Sequence, residues 1–254
     1  MRAGIVTGGL AAVVVAILLM GAGDQTGPSP FVMIGLVNGA VYGLVGIGLV
    51  LVYKGTRVFN FAQGEFGTLA AYFVYIMFEQ SGMPYGFAVL LALVGTLVVG
   101  LAMERAIVRP LLNGPRVTLL VATIAAALLF IGLEILIFRI EPLSLSPLIP
   151  LTDAAGEARG ITLFDYTINP MQLLIVGVLL GLGVLLAWFF SKTDLGLAVL
   201  ATSQDAFATR VVGIGVERMS RFIWGSAALL GGIAGILYVP PIAGALVPAV
   251  MTSN

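Results

Sequence analysis

Few side chains in this sequence are equipped for chemistry, and two of them stand where charge is costly. Glu65 and Glu134 lie within or beside long apolar runs, and Asn60 and Gln63 accompany the first in the stretch NFAQGE, residues 60–65. A carboxylate in a membrane-length apolar segment is a candidate for carrying a proton or holding a cation. Two of them would suit a proton-coupled secondary transporter. A plainer reading stays open beside it: Glu65 snorkels to the cytoplasmic surface and pairs with Lys54 or Arg57, and Glu134 pairs with Arg139 at the other interface. Most enzyme chemistries have no candidate residues. The chain contains neither histidine nor cysteine, which removes zinc sites, thiol nucleophiles, imidazole bases and disulfides. No catalytic and no metal-ligating set is left, so an intramembrane enzyme ranks low.

A second polar concentration is the loop Lys192–Arg221, which holds seven of the 24 charged side chains (12 basic, 12 acidic) between two apolar runs. Its pattern predicts a polar-faced helix. Ala198, Ala201, Ala206 and Ala208 keep the surface small, and Ser203, Gln204 and Asp205 offer hydrogen bonds. Gly213 and Gly215 stop the helix where positive φ is expected. A small-surfaced helix held between membrane spans suits a groove on another protein, as a pore subunit needs if it takes a mechanical stroke from a soluble motor.

The elements that position these groups follow from composition. Apolar residues make up 60% and charged residues 9% of the chain, with mean hydropathy +1.13, which fits a polytopic membrane protein. The run Ile5–Met20 is a cleaved secretory signal or a retained helix, so residues 1–30 form a leader or an extra span. Phe31–Tyr53 is long enough to cross. Its Gly35, Gly39 and Gly43 fall four apart and are expected to pack a neighbouring helix, as are Gly231 and Gly235 in the run Phe222–Val239. Phe66–Phe78 alone reaches only about 20 Å. Residues 60–65 must therefore enter the membrane or line a wet break. A broken or re-entrant helix over 60–78 is expected, with Asn60, Gln63 and Glu65 as pore or gate residues. Gly86–Met103, Val117–Phe138 and Met171–Phe190 bring the total to about seven transmembrane segments in an all-α fold. Arg139–Asn169 reads as a small cap with a β-prone piece, Ile161–Ile168. Ile242–Met251 is too short to cross.

Charge placement orients the chain, because cytoplasmic loops collect lysine and arginine. Alternating through seven spans from a cytoplasmic Arg2 puts Lys54, Arg57, Arg105, Arg109, Arg116, Lys192, Arg210, Arg218 and Arg221 inside as well, and only Arg139 and Arg159 outside. The loop Lys192–Arg221 then faces the cytosol. The formal net charge of +0 gives no electrostatic case for nucleic acid.

With these residues in place, a family resemblance emerges. NFAQGE, with the glycine-rich span and basic turn before it, resembles the signature of branched-chain amino-acid ABC importer permeases of the smaller-permease type. The segment 199–216, VLATSQDAFATRVVGIGV, resembles that family's coupling segment, and ITLFDYTINPMQLL (161–174) is similar to its outer strand and exit. The likeness covers roughly Phe31–Val247. It implies a transmembrane domain over 31–254, with closing helices expected after Met251. It also implies a second permease subunit, two cytoplasmic ABC ATPases that hold ATP and Mg, and an extracytoplasmic solute-binding protein. This chain would carry no cofactor. Ala201, Gln204, Asp205, Ala208 and Gly213 would form the helix entering the ATPase groove. The implied location is a bacterial or archaeal plasma membrane, and the implied cargo a branched-chain amino acid or another small polar solute, since urea and amide importers share the pattern.

Overall fold

The computed structural model describes residues 30–112, 114–138, 140–150, 160–163, 166–240 and 245–252. The run Ile5–Met20, with Arg139 and Arg159, lies outside the described residues. The elements are α1 (Pro30–Thr56), α2 (Gln63–Val74, running on as a π-helical turn Tyr75–Gln80), α3 (Tyr85–Met103, continued through Glu104–Leu111), α4 (Arg116–Phe138), β1 (Ile161–Leu163), β2 (Tyr166–Ile168), α5 (Pro170–Lys192), α6 (Asp194–Gln204), α7 (Ala206–Val211) and α8 (Val216–Tyr238). Five helices among the described residues, α1, α3, α4, α5 and α8, are long and apolar enough to cross a membrane. The expected seven segments thus become five full-length helices plus α2, whose 18 residues with the π turn rise about 27 Å. The remaining run lies outside the described residues.

α8 sits at the centre because its residues are small where neighbours press on it. Without hydrophobic driving force in lipid, helices associate by close packing, which favours glycine and alanine at contacts. A Cβ on Gly231 would meet Gln63 and Phe66, one on Gly232 would meet Ala70, and one on Gly235 would run into the backbone of Gly67. α2 therefore lies directly against α8. One buried cluster gathers Val41, Leu44, Ala71, Met171, Ile175 and Leu237; a second gathers Leu51, Val52, Phe66, Met103, Ile223 and Trp224. α4 and α5 are peripheral, exposing Val121, Leu128, Leu136, Leu180, Val184 and Trp188, the surface a helix shows to lipid.

Two expectations are corrected. Among the described residues nothing lies within 4 Å of a Cβ placed on the exposed Gly35 or Gly39, and of the three only Gly43 meets a neighbour, Leu179. Among the described residues α1 packs instead through Val37, Ala40, Val41 and Leu44, and Gly35 and Gly39 face away from that contact. The β-prone piece is not one strand: Ile161–Leu163 folds back antiparallel on Tyr166–Ile168. Asn169 then caps α5 reciprocally with Gln172, each side chain accepting from the other's backbone N–H at 2.8 and 3.1 Å.

Candidate functional site

After α1 the chain turns at Arg57, at φ 58, and returns into the helix bundle without helical structure as far as Ala62. α2 begins at Gln63, whose Nε2 donates to the Ala227 carbonyl at 2.8 Å. Ala227 is the central residue of α8, so α2 starts about halfway along that helix. Irregular backbone at such depth needs protein cover, and it has it. Asn60 Nδ2 donates to Gln63 Oε1 at 3.2 Å, Asn60 Oδ1 accepts from Ala62 N at 3.1 Å, and Phe61 N donates to Thr123 Oγ1 on α4 at 3.3 Å. Asn60 and Gln63, the expected pore or gate residues, are both buried, Gln63 bonded to α8 and Asn60 to Gln63 and the Ala62 N–H.

Glu65 and Glu134 are also buried, at 0% and 1% exposure, which corrects the snorkelling alternative for Glu65; Arg139, the partner expected for Glu134, lies outside the described residues. Lys54 Nζ lies 4.7 Å from the centre of the Phe190 ring, and Arg57 Nε donates to the Ser203 carbonyl at 3.1 Å. The carboxylates instead meet a segment that sequence patterning left unassigned, residues 245–252. Leu246 pairs with Leu143 through two backbone hydrogen bonds of 2.8 and 3.0 Å. From there the segment runs inward, through Ala249 at φ 58. Ala249 N donates to Glu134 Oε2 at 3.0 Å, Met251 N to Thr68 Oγ1 at 3.4 Å, and the Thr252 hydroxyl to Glu65 Oε1. Gly64 admits it, because a Cβ there would strike Thr252 Oγ1. The segment's shortness for a span was its one legible signal.

The loop Lys192–Arg221 forms two helices, not one. Thr193 caps α6 by accepting from Gly196 N at 3.0 Å, and Asp205 interrupts the helix and caps α7 by accepting from Ala208 N at 2.9 Å. Gly213, at φ 85, ends the turn after α7. Gln204, Asp205, Ala208 and Gly213 are exposed, and Ala201 is half-buried. The expected small, polar surface is corrected as well: Phe207, Val211 and Val212 stand 77%, 72% and 72% exposed. Single apolar residues inside a polar loop gave no sequence signal. Arg57, Arg116 and Arg210 line one cavity of about 230 Å³ with Thr202, Ser203 and Gln204. Arg109 bridges Glu104 and Glu217 at 3.8 and 3.2 Å, so these basic residues gather at one end of the bundle.

Comparison with known proteins identifies the family. A family profile described as "Branched-chain amino acid transport system / permease component" matches residues 31–251. Among curated relatives, the high-affinity branched-chain amino acid transport system permease protein BraD of Pseudomonas aeruginosa is 26% identical over 211 residues, 80% of this chain and 68% of the relative. The probable branched-chain amino acid transport permease protein LivH of Methanocaldococcus jannaschii is 30% identical over 211 residues, 81% of this chain and 64% of the relative. LivH of Escherichia coli K12 is 25% identical over the same length, 80% and 68%. The chain thus spans about two thirds of the length of these relatives. No solved structure matches it significantly.

Proposed function

The chain belongs to the family of branched-chain amino acid transport permease components, and from that premise we propose that it is the membrane-spanning subunit of an ATP-driven importer for branched-chain amino acids or similar small polar solutes. It is a transport subunit, not an enzyme. It works beside a second permease subunit in a bacterial or archaeal plasma membrane. An extracytoplasmic binding protein delivers the solute, and two cytoplasmic ATPases bind ATP and Mg.

The observation that carries the reading is the α6–α7 pair, held in sequence between two membrane-length helices, with Phe207, Val211 and Val212 exposed on α7 and the turn after it. A short apolar knob on a capped, rigid turn fits a groove on a soluble partner. Its motion has a route inward. The Ser203 carbonyl at the end of α6 accepts from Arg57 Nε, and Arg57 opens the stretch that carries the buried Asn60 and Gln63 and the start of α2. A stroke on α7 therefore tugs on the segment that seats α2 against α8, and a shift of packed helices opens one side while closing the other. No group in the permease needs to react with the solute.

The test is reconstitution. Purified with its membrane and soluble partners and supplied with loaded binding protein, the complex should take up labelled leucine only with ATP, and collapse of the proton gradient should leave uptake intact. Uptake driven by a proton gradient without ATPases would replace this reading with a secondary transporter using Glu65 and Glu134.

A further inference from the structure

Three acceptor-capable atoms deep in the bundle have no hydrogen-bond partner among the described residues: Glu65 Oε2, Glu134 Oε1 and Tyr72 Oη. One short segment ties the two carboxylates together: Ala249 N donates to Glu134 Oε2 and the hydroxyl of Thr252, three residues on, to Glu65 Oε1. Geometry gathers them. Glu65 and Tyr72 share a face of α2 at a spacing of seven, two helical turns apart. Glu134 lies one turn before Phe138 on α4, and the Phe138 ring stacks on Tyr72 with centroids 4.0 Å apart, fixing where the hydroxyl stands. Tyr72 is 1% exposed.

Two carboxylates in a low-dielectric interior call for compensating positive charge, and among the described residues no lysine or arginine forms an ion pair with either. A primary ammonium offers three donors and no acceptor, the complement of buried atoms that can only, or also, accept. Tyr72 belongs to a buried apolar cluster that also holds Leu145, Leu246 and Val250. The remaining carboxylate oxygens are already taken by segment 245–252, which lies over the group as a cover. We propose that Glu65, Glu134 and Tyr72 form the site in the membrane interior that receives the ammonium group of the transported solute, with residues 245–252 as its lid. This rests on the importer reading and narrows it: the cargo crosses as an amine-bearing amino acid, and urea or a neutral amide is excluded.

The test uses the assembled permease–ATPase complex in detergent, without binding protein, titrated calorimetrically with 3-methylbutylammonium and, separately, with 4-methylpentanoate. The ammonium probe should bind and the carboxylate probe should not. Glu65→Gln and Glu134→Gln should each weaken ammonium binding roughly tenfold or more, as expected for losing a charge-assisted contact. Should either variant fail to assemble, Tyr72→Phe keeps the ring stack, removes only the hydroxyl and should still weaken binding measurably. Equal binding of both probes, no binding of the ammonium probe by the wild-type complex, or unchanged affinity in the assembled variants overturns the site. The two readings fail separately. ATP-driven leucine uptake with variant-insensitive ammonium binding sinks the site alone, whereas variant-sensitive ammonium binding without ATP-driven uptake sinks the importer reading alone.

Discussion

Gly67 and Gly235 meet backbone against backbone where α2 crosses α8, and a Cβ on Gly235 has no place to go except into the Gly67 carbonyl. That contact sets how deeply the half-length helix is seated, and with it the position of Glu65 two residues earlier.

Gly235→Ala should therefore destabilise the protein by about 1–3 kcal/mol, the usual cost of overpacking a tight interior. Gly132→Ala, on α4 with nothing within 4 Å, is the control and should be neutral. Thermal unfolding of the detergent-solubilised protein separates them; equal melting temperatures would show that the crossing tolerates a methyl group.

Gln63→Leu removes the bond to the Ala227 carbonyl and strands Asn60 Nδ2. Leaving a buried polar group unpaired costs about 1–3 kcal/mol. Uptake should fall in proportion to folded protein, not per folded molecule. A variant with native stability and lost transport would return Gln63 to the lining of a path.

Phe207→Ser combined with Val211→Ser should leave stability within about 0.5 kcal/mol, as for surface changes generally, because both side chains are exposed. Co-purification of the ATPases should nevertheless drop. Undiminished ATPase recovery would mean that α7 is not the docking element.

Gly213, at φ 85 with open space around it, should accept asparagine, which tolerates left-handed backbone. Gly213→Val should cost about 1–3 kcal/mol of local strain. The readout is the ratio of uptake to ATP hydrolysis: near normal for Gly213→Asn, reduced for Gly213→Val. Equal ratios would show that the turn after α7 need not be rigid.

The absence of native cysteine makes topology directly measurable. Gln204→Cys should react with an impermeant thiol reagent from the cytoplasmic side and Glu141→Cys from the other. Both residues are exposed, so reversed labelling would invert the orientation and remove the ATPase as α7's partner.

The sequence by itself determined what rests on local chemistry. Apolar length marked the five crossing helices, since a bilayer of about 30 Å needs roughly 20 apolar residues. Lysine and arginine placement predicted which end they share, and the clustering of Arg57, Arg116 and Arg210 around one cavity agrees with that prediction. The shortness of the apolar part of 60–78 told that the polar stretch before it lies deep. Tertiary structure decided the rest. Glu65 finds Thr252 at a separation of 187 residues and Glu134 finds Ala249 at 115, through a segment with no charge and no period to announce it. Snorkelling and burial are both open to a lone acid at the end of an apolar run. The choice between them depends on whether another part of the chain brings donors to it, and periodicity within one helix carries no information about that. The outward turn of Gly35 and Gly39 has the same origin: spacing defines a face, but only the neighbours in space determine which face is covered.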